Sequence, residues 1–372
     1  MGHADRAHAL LSASSAHRWL NCPPSAVAAE LYPSESSEFA AEGTLAHEVA
    51  EAVARGIPPE DAHEITQEIT QEMLDCAAGY KRYIWEQTNG EDYRLLLEQR
   101  VDFSDWVPGG FGTCDCILLQ GDTLDVIDYK YGKGVPVNAY LNPQLMLYGL
   151  GALNDYGLAV DVQTVRLHIY QPRINNVSVW ELSADDLLKW ADSVREVAAV
   201  AAQGGGEYRA GDWCKFCPHA GECRELTQTC TRLVDRYNVE VPVLAPHEVA
   251  QILEQEPLIS LWLRRVKSRT LAMALEGKPA PGWKAVEGRQ GNRKWKDELE
   301  ALHILDAAGY DRAETTETHL LSPAGVDKLV GKKRAAELLA GQIERSPGAP
   351  ILVPESDKRP PYDPAGDFEV LN

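Results

Sequence analysis

"GTCDCILLQGDTLDVIDYK", residues 112–130, is two apolar runs joined at Gly121-Asp122, and Asp115, Asp125, Asp128 and Lys130 interrupt those runs. A Gly-Asp pair between two such runs predicts a β-hairpin with a two-residue turn. Pairing then sets Leu118 against Asp125, Cys116 against Ile127 and Asp115 against Asp128. Directly opposed residues point to one face with Cβ atoms roughly 5 Å apart, and Lys130, two residues past Asp128, shares that face. Two facing carboxylates on a half-buried sheet repel, and burying them costs on the order of several kcal/mol unless something compensates. A shared divalent cation would compensate. So would solvent at a strand end with Lys130 as counter-charge, and a one-residue slip of register would send one acid to the other face.

Outward from the hairpin, hydrophobic periodicity predicts helices over "FAAEGTLAHEVAEAVARG", "ITQEITQEMLDCAAGYKRYIWEQ", "NPQLMLYGLGAL" and "ADDLLKWADSVREVAAVAA". Period-two alternation predicts strands over "LLLEQRVDF", "VQTVRLHIYQP" and "VSVWELS". A short helix capped by Ser14 or Ser15 precedes them and stops at Pro23-Pro24. The first 235 residues read as an α+β domain with an antiparallel sheet flanked by helices. A basic accessory module over 236–345 and a Pro-rich tail over 346–372 follow.

A net charge of −20 argues against general adhesion to nucleic acid. The charge is uneven: residues 30–75 hold twelve acids and one base, whereas 261–296 hold ten Lys/Arg and two acids. No stretch is apolar enough to span a bilayer and the first residues lack a secretory core, so a cytoplasmic protein without a membrane partner is expected. In a reducing compartment eight cysteines favour metal ligation or catalysis over disulfides. On the predicted second helix, His47 and Glu51 are four apart and stack on one face, where they could look into the same cleft as the aspartates.

In order, "GTLAHEVAE", "GTCD", "IDYK" and "QLMLY" resemble the RecB-like branch of the PD-(D/E)xK nucleases. The resemblance covers roughly residues 10–230 and implies a restriction-endonuclease-like core, a central mixed sheet flanked by helices. It assigns a metal-binding role to His47, Asp115, Asp128 and the backbone of Tyr129, and a catalytic one to Asp115, Asp128, Lys130, Gln144 and Tyr148. Cys114 stands where the superfamily's name has proline. Carboxylates, a carbonyl and an imidazole suit Mg²⁺ or Mn²⁺, with the imidazole tilting the preference to Mn²⁺. The implied reaction is phosphodiester hydrolysis.

"DWCKFCPHAGEC" spaces Cys214, Cys217 and Cys223 as C-x2-C-x5-C, three ligands in want of a fourth. Cys230 is the local candidate and Cys22 the remote one, and four thiolates would suit structural Zn²⁺. Some RecB-like nucleases hold a [4Fe-4S] cluster with one cysteine before the core and this triplet after it. That resemblance selects Cys22, Cys214, Cys217 and Cys223, and implies a staple joining the two ends of the domain.

In the basic module, Arg264, Arg265, Lys267 and Arg269 lie along one predicted helix, followed by Arg289, Arg293, Lys294 and Trp295. Cations interleaved with tryptophans suit a single-strand-tracking surface; a surface helix and a hairpin with core tryptophans is the alternative. The arrangement, including "LVPESDKRP", resembles a phage- and prophage-associated group of RecB-like proteins of unknown function. The expectation is a metal-dependent DNA exonuclease acting on linear or single-stranded ends, with a phage single-strand annealing protein as a partner. The rival is a non-catalytic nucleic-acid-binding or assembly protein on the same fold. A thiol or electron-transfer role is disfavoured by the lack of any flavin or nicotinamide fingerprint.

Overall fold

A computed structural model describes residues 9–32, 38–58, 69–88, 90, 92–134, 136–157, 160–235, 245–288, 293–316, 321–345, 350–354 and 357–362. The chain divides into two units, Met1–Trp262 and Leu263–Asn372.

The first unit is α+β. Its elements are α1 (Ala16–Asn21), α2 (Ser25–Ala29), α3 (Glu38–Arg55), α4 (Gln71–Gln87), β1 (Tyr93–Asp102), β2 (Phe111–Gln120), β3 (Thr123–Tyr129), α5 (Pro143–Tyr156), β4 (Thr164–Gln171), β5 (Asn176–Ser183), α6 (Ala184–Ala201) and α7 (Arg224–Asp235). The five strands form one sheet in chain order. Three junctions are antiparallel, but β3 and β4 run parallel, so the sheet is mixed and not antiparallel throughout. The reason is α5: parallel neighbours need a crossover, and this helix supplies it.

Local chemistry sets the helix starts. Thr70 accepts a hydrogen bond from the Met73 amide, Asn142 from Gln144 and Leu145, and Ser183 from Asp186, each filling donors that a helix start leaves open. Pro143 sits at the first position of α5, where its missing N–H is no loss. The helix expected to begin near Ile65 begins at Gln71; residues 59–68 lie outside the described set.

Two cores clasp the sheet. Trp19 of α1, Leu145 and Leu147 of α5 and Leu187 of α6 pack on Ile117, Leu124, Val126 and Leu167. On the other face Val49 of α3 and Ala77 and Tyr80 of α4 pack on Cys116, Ile127 and Tyr129. Each fully buried Leu, Ile or Val contributes roughly 1.5–3 kcal/mol. A third cluster joins Cys214, Cys217, Leu226 and Cys230 to Leu261 and Leu258 of α8 (Pro246–Leu275). That packing carries the first unit past residue 235, where the sequence suggested a boundary.

The second unit holds β6 (Trp283–Val286), β7 (Arg293–Trp295), α9 (Glu298–Ala307), α10 (Arg312–Thr315), α11 (Pro323–Val330), α12 (Lys332–Leu338), β8 (Ile343–Arg345) and β9 (Ile351–Pro354). β6 and β7 do not pair as a hairpin; β6 pairs with β9 and β7 with β8. Its core is small, built on Ala301, Leu305, Val326, Ala335 and Leu339. Among the described residues no helix is long and apolar enough to cross a membrane.

Candidate metal centre

Gly121 takes φ 59°, as the first central residue of a primed hairpin turn does, and Gln120 pairs with Thr123 across it. The ladder then runs Leu118–Asp125 and Cys116–Ile127 and stops there. Asp115 and Asp128 stand one step beyond its last pair, in the register the sequence predicts.

The sheet is distorted at this point. β1 pairs with β2 at Leu97–Cys116 and at Gln99–Cys114, while the intervening Glu98 and Asp115 drop out of the ladder. Glu98 adopts φ 49°, a left-handed conformation uncommon for a non-glycine residue. Cys114 packs in the α5–α6 core and Cys116 in the α3–α4 core, although a regular pleat would put both on one face. The strand therefore turns over at Asp115, whose side chain is freed from either core.

Three groups converge there. Ligand atoms of His47, Glu98 and Asp115 all lie within 4.8 Å of one another. His47 Nδ1 is 3.5 Å from Asp115 Oδ1, and the Tyr129 amide donates to Asp115 Oδ2 at 2.7 Å. Burial opposes ionisation of Asp115, but His47, Lys130 and the Tyr129 amide outweigh it and hold the carboxyl below its usual pKa. Glu98 goes the other way: burial, then the Asp115 charge, pushes it up to about 8.

Asp128 belongs to an adjoining cluster. It is 2 % exposed, and its Oδ2 lies 2.8 Å from Lys130 Nζ in an ion pair without hydrogen-bond alignment. Gln144 Nε2 donates to Asp128 Oδ1 at 3.2 Å and to Tyr148 Oη at 3.3 Å, while Lys130 Nζ donates to Gln144 Oε1 at 3.3 Å. Burial, partly offset by Lys130 and reinforced by Asp115, raises the Asp128 pKa. Burial depresses Lys130, but Asp128 and Asp115 more than restore it, so its pKa rises and the ammonium form is favoured. A Cβ on Gly112 would meet Tyr148 Cε1 at 2.8 Å, which gives the glycine of "GTCD" its reason.

The hairpin and helix residues to which the resemblance assigns a role thus fall in two adjoining groups, His47–Asp115 and Asp128–Lys130–Gln144–Tyr148, with the Tyr129 amide bonded to Asp115. Glu51 instead pairs with Arg55 at 2.8 Å. Glu98 was missed. Its signal was an acid inside the "LLLEQRVDF" strand, which becomes legible only once β1 is registered against β2.

The eight cysteines are free thiols. Cys22, Cys214, Cys217 and Cys223 line one pocket with Arg18, Tyr208 and His219. No three of those sulfurs lie within 4.8 Å of one another. The Arg209 amide donates to Cys22 Sγ at 3.4 Å and the Leu226 amide to Cys223 Sγ at 3.5 Å. Burial pushes the Cys214 thiol up to about 11 despite a hydrogen bond from the Gly211 backbone, and its thiol neighbours Cys217, Cys223 and Cys22 add to the rise. Cys230 packs in the same cluster but does not line that pocket, and its Sγ is 3.8 Å from the Leu258 carbonyl.

The basic module is more tied down than its sequence suggests. Arg269 pairs with Glu276 at 3.2 Å and Arg293 pairs with Asp327. Trp295 donates its indole N–H to the Leu321 carbonyl and packs on the second unit's core, whereas Trp283 is exposed. Arg264 and Lys267 are exposed on α8, and Arg265 is half-buried. Arg289 and the Lys294 side chain lie outside the described set.

Among solved structures, the chain is matched to one titled "Crystal structure of SSO0001", at a TM-score of 0.28 and 15% identity over 57% of this chain and 84% of that one. Residues 8–360 match the model of a family described as a protein of unknown function, DUF2800. The chain therefore belongs to the DUF2800 family.

Proposed function

We propose that the first unit is a restriction-endonuclease-like, metal-dependent DNA nuclease of RecB-like type, most simply an exonuclease. The observation that carries this reading is the pairing of an acidic pocket, His47–Glu98–Asp115, with a buried Asp128–Lys130–Gln144 group at the end of one hairpin. The donor set fits a hard cation. Three carboxylates meet one lysine and one histidine, and the nearly fully buried Asp128 carboxylate is faced by Lys130 and Gln144. Mn²⁺ or Mg²⁺ would be held by the His47–Glu98–Asp115 group, with Asp128 of the adjoining cluster as the further oxygen donor that the resemblance implies, and would supply Lewis-acid polarisation of a phosphate. Around it Lys130 presents an ammonium to the charge that develops on phosphorus. Gln144 fixes both Asp128 and Lys130, and Tyr148 anchors Gln144 against Gly112.

Cys22, Cys214, Cys217 and Cys223 line one pocket, and the RecB-like resemblance favours a [4Fe-4S] cluster there over structural Zn²⁺. Cys22 would then be tied to Cys214, Cys217 and Cys223 across the whole domain, a structural role. Phage DNA processing, with an annealing protein as partner, is the setting proposed for the activity.

Incubation of linear and circular DNA with Mn²⁺ tests hydrolysis and end dependence together, with Asp128→Ala as the control. Degradation by the wild type alone supports the reading; DNA left equally intact by both hands the fold to the binding-only alternative. A brown protein absorbing near 400 nm, a region expected for iron–sulfur charge transfer, supports the cluster, and a colourless protein carrying zinc removes it.

A further inference from the structure

The segment between the catalytic lysine and α5 shows an arrangement that packing does not explain. Tyr140 is 62% exposed and Leu141 55%, two large apolar side chains side by side in solvent. Leu141 also adopts φ 51°, a backbone conformation that residues with a Cβ seldom take. A slack loop would relax from both conditions. This one is held.

Asn138 Oδ1 accepts from the Tyr140 amide at 2.9 Å and from Ser178 Oγ at 3.0 Å, and Ser178 Oγ accepts in turn from the Ala139 amide at 3.0 Å. Asn142 Nδ2 donates to the Asn138 carbonyl at 3.0 Å while its Oδ1 caps α5. The Tyr140 ring stands edge-on to Trp180 with centroids 5.2 Å apart. Polar bonds therefore lock the loop to β5 while its apolar tips point outward, with the strain retained at the residue before the α5 cap. Strain of this kind persists only where the surroundings over-determine it, and it gathers at ligand clamps.

Position says what the tips meet. Asp128 pairs with Ile169 and Ile169 with Ser178, so the loop's anchor lies two strands from the catalytic aspartate, roughly 10 Å away at usual strand spacing. Gln144, which holds Asp128 and Lys130, follows Leu141 by three residues. We propose that Tyr140 and Leu141 form a stacking platform for a nucleobase of the single strand whose phosphate occupies the metal centre. This rests on the nuclease reading and names how that site holds its substrate. An aromatic face and an aliphatic edge accept any base, so the platform sets strand geometry and not sequence.

The test measures binding apart from hydrolysis. A labelled single-stranded oligonucleotide and an abasic strand of equal length are titrated by fluorescence anisotropy with Ca²⁺ in place of Mn²⁺. Tyr140→Ala is expected to weaken binding of the base-bearing strand roughly tenfold and to leave the abasic strand unchanged. Leu141→Gly, which a left-handed backbone favours, should weaken it roughly threefold or more while its Tm holds or rises, and it serves as the test if Tyr140→Ala fails to fold. The platform is overturned if the wild type binds both strands equally, or if the folded variants bind the base-bearing strand within about twofold of wild type. Hydrolysis of linear DNA by the wild type with Mn²⁺ is scored separately. Hydrolysis without base-dependent binding removes the platform alone, and base-dependent binding without hydrolysis removes the nuclease chemistry alone.

Discussion

Asp125 and Asp128 lie three residues apart on one strand, both buried, and their surroundings differ. Asp125 takes Arg166 at 2.8 and 3.0 Å, His168 at 2.9 Å and Gln120 at 3.4 Å, and Tyr83 holds the far nitrogen of His168 at 2.8 Å. Both of its oxygens are engaged, and the network ties α4 to the sheet. Asp128 has fewer partners, one lysine at 2.8 Å on one oxygen and one amide at 3.2 Å on the other. Burial alone marks neither as functional. A buried acid whose partners satisfy it is architecture; one kept short of partners has room for a ligand.

That contrast can be broken by exchanging the two roles. Asp128→Ala should lower Mn²⁺-dependent hydrolysis by roughly 10³-fold or more, about 4 kcal/mol of barrier, in a protein that still folds, as rate assays beside circular dichroism would show. Asp125→Ala should act in the opposite sense. Leaving Arg166 and buried His168 uncompensated costs about 3–5 kcal/mol of stability, read as a fall in denaturation midpoint, with metal affinity little changed in the folded fraction. Equal effects of both substitutions on rate would erase the distinction.

Smaller changes sharpen it. Gly112→Ala drives a methyl against the Tyr148 ring and should cost roughly 1–3 kcal/mol, displacing Gln144 and so lowering rate as well as Tm. Glu98 tests the acidic pocket by pH. Its pKa, pushed up to about 8 by burial and Asp115, stands above that of an unfolded glutamate near 4.5. Its contribution to metal-free stability is therefore full below that unfolded value and lost as pH rises toward 8. Glu98→Gln should remove that loss, leaving the metal-free variant more stable than wild type by roughly 1–2 kcal/mol at pH 7, after a discount for solvent screening. The two should converge near pH 4.5. Thermal melts in chelator across that range would show it, and a wild-type advantage at pH 7 would contradict the burial of Glu98.

Much of this was legible in the chain. The Gly121-Asp122 turn set the hairpin register from Gln120–Thr123 to Cys116–Ile127. Spacing marked Cys214, Cys217 and Cys223, and Asn142-Pro143 marked the start of α5. Three things were not legible, each for a physical reason. The parallel β3–β4 pairing depends on a crossover that no local pattern encodes, so alternation alone read the sheet as antiparallel and only the resemblance implied a mixed one. Glu98 joins the site through a break in the β1–β2 ladder, where alternation stops being a guide. Trp295 looked like a stacking surface because its neighbours are cationic, yet its indole N–H is satisfied inward by Leu321.

The parallel junction has a consequence for synthesis. The Lys130 amide donates to the Tyr170 carbonyl at 2.9 Å, a bond the hairpin cannot make for itself. As the nascent chain leaves the ribosome, the turn and both aspartates emerge first, but the lysine has no fixed seat until α5 and β4 have followed. An unfinished chain would hold its acidic groups before the Lys130 backbone is tied to β4, so this corner of the fold is completed late, with the closing of the sheet.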